Sequence, residues 1–274
     1  MSNLYVQALH IHPVKSVAGT APDEMAVEPW GLSGDRRWAL VDTEGTVITQ
    51  RQQPRLALAA ARPLGGGAVA LSAPGMADLV VEVPEPGLLE PVTLFGKKVE
   101  TVVAASAAAD WFSAYLGVPA RLVHMDDPAV RRPVDPQYAL PGETVSLADG
   151  YPVLLTTLAS LDALNSLIAR GDHPEEGPLP MNRFRPNVVV AGAEAWAEDG
   201  WRRIAIGDAV FRGARECGRC IVTTTDQATA ERGKEPLKTL ARHRRIGKSL
   251  AFGRQLVPVR TGTVRVGDEV RVLE

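Results

Sequence analysis

The 274-residue sequence holds only two cysteines, and aromatic residues make up 5% of it. Two thiols exclude a disulfide framework, and they cannot hold an iron–sulfur cluster, which takes about four cysteines. No apolar run approaches the roughly 18 residues that a membrane span needs. The N-terminus, MSNLYVQALH, lacks the basic, apolar and small-residue succession of a secretory signal. A cytoplasmic location without a membrane partner is therefore expected, in a reducing compartment where the cysteines stay thiols. The glycine fingerprint of a Rossmann dinucleotide site is missing as well.

What is present is ordinary globular material: 45% hydrophobic residues, 23% charged and a net charge of -2. The length allows one large domain or two modest ones, either with a real core. The charge is unevenly spread. Residues 202–260 carry 14 Lys and Arg against 5 Asp and Glu, whereas the rest carries 16 against 27. A cationic surface of this kind attracts an anion, although a solvated face explains it equally well. With no recognisable base-stacking or zinc motif in that segment, no nucleic-acid partner is expected.

Short β-rich runs dominate, among them RRWALVD, LVVEV, KKVETVVA, NVVVAG, RCIVTTTD and RQLVPVR, broken by turns such as PWGLSGD and LPGE. The expectation is a mainly β protein of the α+β class, built of sandwiches or barrels with a few short helices. Apolar stripes predict helices in ASAAADWFSAYLG, stopped by Gly117, and in TTLASLDALNSLIARG. A third helix fits EPLKTLARHRR, with Pro236 in its first turn. A loose domain boundary falls near residue 120, and DHPEEGPLP at 172–180 reads as a surface loop.

Both cysteines lie in ECGRCIVTTTD, residues 216–226. Structural zinc needs about four ligands and finds two here. A thioredoxin-like pair should open a helix, whereas the β-branched IVTTT predicts a strand. An inert buried pair and a single thiolate ligand for a soft metal both remain open. Arg215 and Arg219 flank the pair, and such cations favour ionised sulfur. The five histidines have no ligand spacing; His10 and His12 share one strand face, while His124, His173 and His243 stand apart.

A series of segments carries a resemblance that spans nearly the whole chain. These are IHPVKS, GDRRWALVD, TQRQQPRLALA, ADGYPVLLTTLASLDALN, RFRPNVVVAG, CGRCIVTTTDQAT, KEPLKTL and FGRQLVPVRTGTVRVGDEV. In order and spacing they resemble the MOSC-domain family, and within it the amidoxime-reducing branch. The resemblance implies a smaller β-rich MOSC N-terminal domain over residues 1–120 and a β-barrel MOSC domain over 121–274. It also implies a molybdenum–molybdopterin cofactor, with Cys220 as the thiolate on the metal.

On the same resemblance, Lys15 and Ser16 of HPVKS would meet a phosphate or pterin oxygen, which suits an ammonium beside a hydroxyl. Arg36 and Arg185 would grip the anionic cofactor with paired donors, and Asn187 would read a pterin edge. Thr157 is either a helix N-cap or a cofactor contact. Cys217 and Gly218 would approach the cofactor without ligating the metal, and Asp226 matches an aspartate near the metal loop. The family often continues that aspartate with Pro-Asp, whereas Gln227 and Ala228 follow here. The implied activity is reduction of N-hydroxylated compounds: amidoximes, hydroxylamines and N-hydroxylated bases. With no appended iron–sulfur segment after VRVLE, electrons are expected from a separate ferredoxin-like, flavin or haem protein. A carrier of molybdenum cofactor, or a sulfur-handling protein using Cys220, would share these features.

Overall fold

The computed structural model describes residues 3–274. Its largest element is a sheet that curls almost into a barrel, in the order Tyr5–Leu9, Val188–Ala191, Val153–Thr157, Ser249–Arg260, Ala209–Gly218, Arg203–Ile206 and Val270–Val272. The short strand Arg245–Ile246 pairs with Ser249–Arg260 off this path. One pair is parallel, Val153–Thr157 with Val188–Ala191, and the chain between them supplies the helix Leu158–Ile168. The two outer strands meet: Val6 N donates to Asp268 O at 2.9 Å and Gly267 N to Val6 O at 2.8 Å. This closure removes most of the open edge that would invite pairing with other chains.

Alternation fills the barrel. Val6, Leu9, Val153, Leu155, Val188, Val190, Ile204, Ile206, Phe211 and Leu256 form one buried cluster. Val188–Ala191 is buried along its whole length, because its other side is covered by the helix-bearing layer, where Leu164, Ile168, Phe184, Leu240 and Phe252 pack together. That burial explains why NVVVAG shows a continuous apolar run.

The second body is a five-stranded sheet ordered Val47–Ile48, Trp38–Val41, Arg121–His124, Lys97–Val103 and Glu90–Leu94. A parallel bridge between Thr46 and Thr93 draws its edges together. One face encloses Val41, Val92, Leu94, Val99 and Val123; the other packs Trp38, Leu40 and Leu122 on the helix Ser106–Leu116. The bodies share chain: Glu24–Glu28 pairs with Gly262–Arg265 from the far end of the sequence.

The three helices read from the sequence form at Ser106–Leu116, Leu158–Ile168 and Leu237–His243. Gly117 adopts the left-handed conformation that ends the first, at φ 70°. A short turn of helix at Pro128–Arg131 was not signalled. Among the described residues no helix is long and apolar enough to cross a membrane. One expectation fails: IVTTT is not a strand, and Ile221–Thr224 is a 3₁₀ turn. The threonines supply the reason, since Thr223 Oγ1 donates to Cys220 O at 2.9 Å and Thr224 Oγ1 to Ile221 O at 2.8 Å. Such local side-chain bonds offer the backbone an alternative to a ladder.

Candidate active site

The strand Ala209–Gly218 ends at the first cysteine, and the chain then turns across the barrel mouth. Gly218 suits that turn, because a Cβ there would crowd Ser249 Oγ on the neighbouring strand at 3.1 Å. Arg219 N donates to Leu250 O at 2.8 Å and Thr223 N to Cys220 O at 3.0 Å, which fixes the loop between them. The two sulfurs end in different places. Cys217 is buried and accepts from Arg219 Nη1 at 2.8 Å and Gln255 Nε2 at 3.5 Å. Cys220 is half-buried and faces Arg51 Nη2 at 3.3 Å.

The cavity that both cysteines line has a cationic wall made by three turns. Lys15 is buried, and its Nζ donates to Leu147 O at 2.9 Å and Asp149 Oδ1 at 2.5 Å. Burial still pushes its pKa down to about 8, against the pull of Asp149. Arg36 Nη1 pairs with Asp35 Oδ2 at 2.5 Å, and its Nη2 donates to Arg185 O at 3.1 Å. The buried Arg185 donates to Val17 O at 2.8 Å and contacts no carboxylate among the described residues. Burial, then the charge of Arg36, push it down to about 9. Asp149 lines the same cavity; desolvation there raises its carboxyl, but Lys15, then Arg51 and Arg36, outweigh that and hold it below the usual carboxylate range.

Backbone conformation singles out the same place. Six non-glycine residues among those described have positive φ, and three of them, Ser16 at 68°, Arg36 at 49° and Arg185 at 52°, line this one cavity. Such conformations cost on the order of 1 kcal/mol or more each and gather where geometry serves a ligand. Behind the wall, His12 is buried with both ring nitrogens unpartnered, and burial, then Arg185 and Arg36, hold its pKa well below normal.

The cavity brings together Lys15, Ser16, Arg36, Arg185, Asn187, Cys217, Gly218 and Cys220. Asn187 spends its amide on the protein itself: Oδ1 accepts from Leu154 N at 3.1 Å, and Nδ2 donates to His10 O at 3.2 Å. Thr157 and Asp226 do not line the cavity. Thr157 caps the helix Leu158–Ile168, accepting from Ser160 N at 3.1 Å and pairing with the buried Glu198 at 3.2 Å. Asp226 closes its own turn through Ala228 N at 2.8 Å and Thr229 N at 3.0 Å, and it holds Arg183 at 2.8 Å. Arg215 serves Ser249 at 3.0 Å and stacks on Tyr138, so of the two flanking arginines only Arg219 bonds to a cysteine sulfur. The sequence reading passed over Arg51 and Asp149 as site residues, although both lie in or beside the quoted segments TQRQQPRLALA and ADGYPVLLTT.

This donor set fits an anionic group carrying a soft metal. It offers one accessible thiol, a buried cation without a contacting carboxylate and turns held in strained conformations around them.

Comparison with known proteins places the chain in a family. The sequence matches the MOSC N-terminal beta barrel domain over residues 3–119 and the MOSC domain over residues 142–271. It is 34% identical to mitochondrial amidoxime-reducing component 1 of Homo sapiens over 287 residues, covering 98% of this chain and 82% of that protein. It is 33% identical to mitochondrial amidoxime reducing component 2 of Rattus norvegicus, covering 97% and 82%. Molybdenum cofactor sulfurase of Oryza sativa subsp. japonica is 30% identical over 271 residues, which cover 92% of this chain and 32% of that protein. With both domains matched in order, the chain belongs to the MOSC-domain family.

Proposed function

We propose that this chain is a molybdenum-cofactor-dependent reductase of N-hydroxylated compounds, supplied with electrons by a separate ferredoxin-like, flavin or haem protein in the cytoplasm. The observation that carries this reading is that Cys220, the more exposed of the two thiols, shares one cavity with Lys15, Arg36 and Arg185. Similarity to amidoxime-reducing components along almost the full chain supports the substrate class.

When bound, such a cofactor supplies two electrons and an acceptor for the oxygen of an N–O bond. The protein's share is to hold and orient it. Cys220 would ligate the metal, while Cys217 stays in the wall under Arg219 and Gln255. Arg36, Arg185, Lys15 and Ser16 would grip the phosphate and pterin oxygens, three of them, Ser16, Arg36 and Arg185, from left-handed backbone positions. Asp149 neutralises Lys15 until an anion takes over that cation. Asp226 acts through Arg183, whose Nη1 donates to Thr224 O at 3.1 Å and so braces the turn that follows Cys220.

Protein made in a host that produces molybdenum cofactor tests the proposal. Near-stoichiometric molybdenum with turnover of benzamidoxime by a chemical reductant is expected. Molybdenum without turnover would favour the carrier reading, which draws on the partial match to the rice sulfurase. Protein that never acquires molybdenum would overturn both.

A further inference from the structure

We propose that Arg51 is the substrate-facing cation of this site: it meets the oxygen that a ligand presents beside Cys220, and Phe95 and a Gln50–Gln227 pair hold it in place. The choice of an N-hydroxylated oxygen rests on the functional reading above, whereas the placement of the cation does not.

Arg51 is poorly explained by packing or charge pairing. Its side chain is 30% exposed, and its nearest carboxylate oxygen, Asp149 Oδ2, lies 3.9 Å away. Among the described residues the only acceptor within hydrogen-bond reach of its guanidinium is Cys220 Sγ, at 3.3 Å. A thiol sulfur is a weak acceptor for a group with five donors, so most of that capacity is unused within the protein, in a residue that lines the cavity. An oxygen arriving at the sulfur's open side would meet those donors, and they would be worth most as charge grows on it during N–O cleavage.

Three contacts hold this residue and its turn. The first is aromatic. Phe95 sits at the tip of the hairpin joining Glu90–Leu94 to Lys97–Val103, and its ring centroid is 5.1 Å from Arg51 Cζ and 5.2 Å from Lys15 Nζ. A half-exposed phenylalanine at φ 51° suits neither the turn nor the solvent; its ring is placed against the two cations. The second is a backbone clamp, in which Arg232 Nη2 donates to Arg51 O at 2.8 Å and also to Gln50 O.

The third is a reciprocal amide pair. Gln50 is fully buried; its Nε2 donates to Gln227 Oε1 at 3.1 Å and to Ser16 O at 2.8 Å. Gln227 Nε2 donates back to Gln50 Oε1 at 3.1 Å. One buried side chain thus ties the Arg51 turn to the Lys15–Ser16 loop and to the loop that follows the cysteines.

The test uses cofactor-free protein and compares alkylation of Cys220 by anionic iodoacetate and neutral iodoacetamide, followed peptide by peptide in a mass spectrometer. Both reagents attack the same thiolate, so their rate ratio cancels thiol ionisation and reports the cationic field at the sulfur. Arg51→Ala should lower the iodoacetate-to-iodoacetamide ratio about five-fold, a change within reach of one nearby charge, and Arg51→Lys should retain part of it. Arg55→Ala, which removes a cation outside the cavity, should leave it unchanged. Gln50→Ala and Gln227→Ala should each lower the ratio, and the double variant no further than the stronger single one. An unchanged ratio in folded Arg51→Ala protein, or a Cys220 that neither reagent reaches, would overturn the assignment. In loaded enzyme, Arg51→Ala should lower kcat/KM for benzamidoxime at unchanged molybdenum content. If loaded wild-type protein fails to turn over benzamidoxime while the alkylation ratios behave as expected, the functional reading falls and the placement of Arg51 stands.

Discussion

Arg219 Nη1 donates to Cys217 Sγ at 2.8 Å, so the more buried sulfur of the pair is engaged within the protein while Cys220 remains open to the cavity. The two thiols are unequal by construction. Cys220→Ser should strip or mis-coordinate the metal and abolish activity, whereas Cys217→Ser should leave metal content largely intact. Molybdenum analysis of both variants checks this, and equal loss would reject the division.

Arg36→Ala and Arg185→Ala should each weaken cofactor retention by about 1.5–3 kcal/mol, the worth of a charge-assisted hydrogen bond. That is about ten-fold to a hundred-fold in affinity. Molybdenum and pterin retained through gel filtration measure it, and unchanged occupancy in both variants would contradict the anion-binding role.

Lys15 gives a pH signature whose sign can be worked out. Its folded pKa, about 8, lies below the ordinary 10.5, so between these values the unfolded chain binds more protons and stability rises with pH. The buried ammonium is a cost present in full below pH 8 and relieved as the group deprotonates. From pH 7 to pH 10, wild-type protein without cofactor should gain about 1–3 kcal/mol relative to Lys15→Met in urea unfolding. Anion retention should follow the opposite course, weakening above pH 8 in wild type, with a smaller decline in Lys15→Met. Parallel trends in the two measurements would contradict the assignment.

Thr157→Ala should cost about 1 kcal/mol by removing the helix cap. Its hydroxyl belongs to the network with Ser160 and Glu198, so molybdenum content should not change. A chemical melt with metal analysis separates these effects.

Much of the fold was legible because its signals are local. Short β-rich runs between turn residues marked strands such as Lys97–Val103 and Val188–Ala191, and apolar stripes with Gly117 marked helices. The turn after Cys220 was misread because β-branched threonines favour strands on average, and only their hydroxyl contacts with nearby carbonyls reverse that preference. The cavity is a different matter. Lys15 meets Asp149 across 134 positions and Arg36 meets Arg185 across 149, distances no periodicity reports. Cys220, Lys15, Arg36 and Arg185 were named through resemblance. Arg51 and Asp149 were passed over because their contacts exist only once the two bodies meet.

The central claim is that the Cys220 sulfur bonds to molybdenum. X-ray absorption at the molybdenum edge, on loaded wild-type protein and Cys220→Ser protein, tests it directly. The account predicts one fewer sulfur neighbour in the variant; identical metal–sulfur coordination in the two would contradict it.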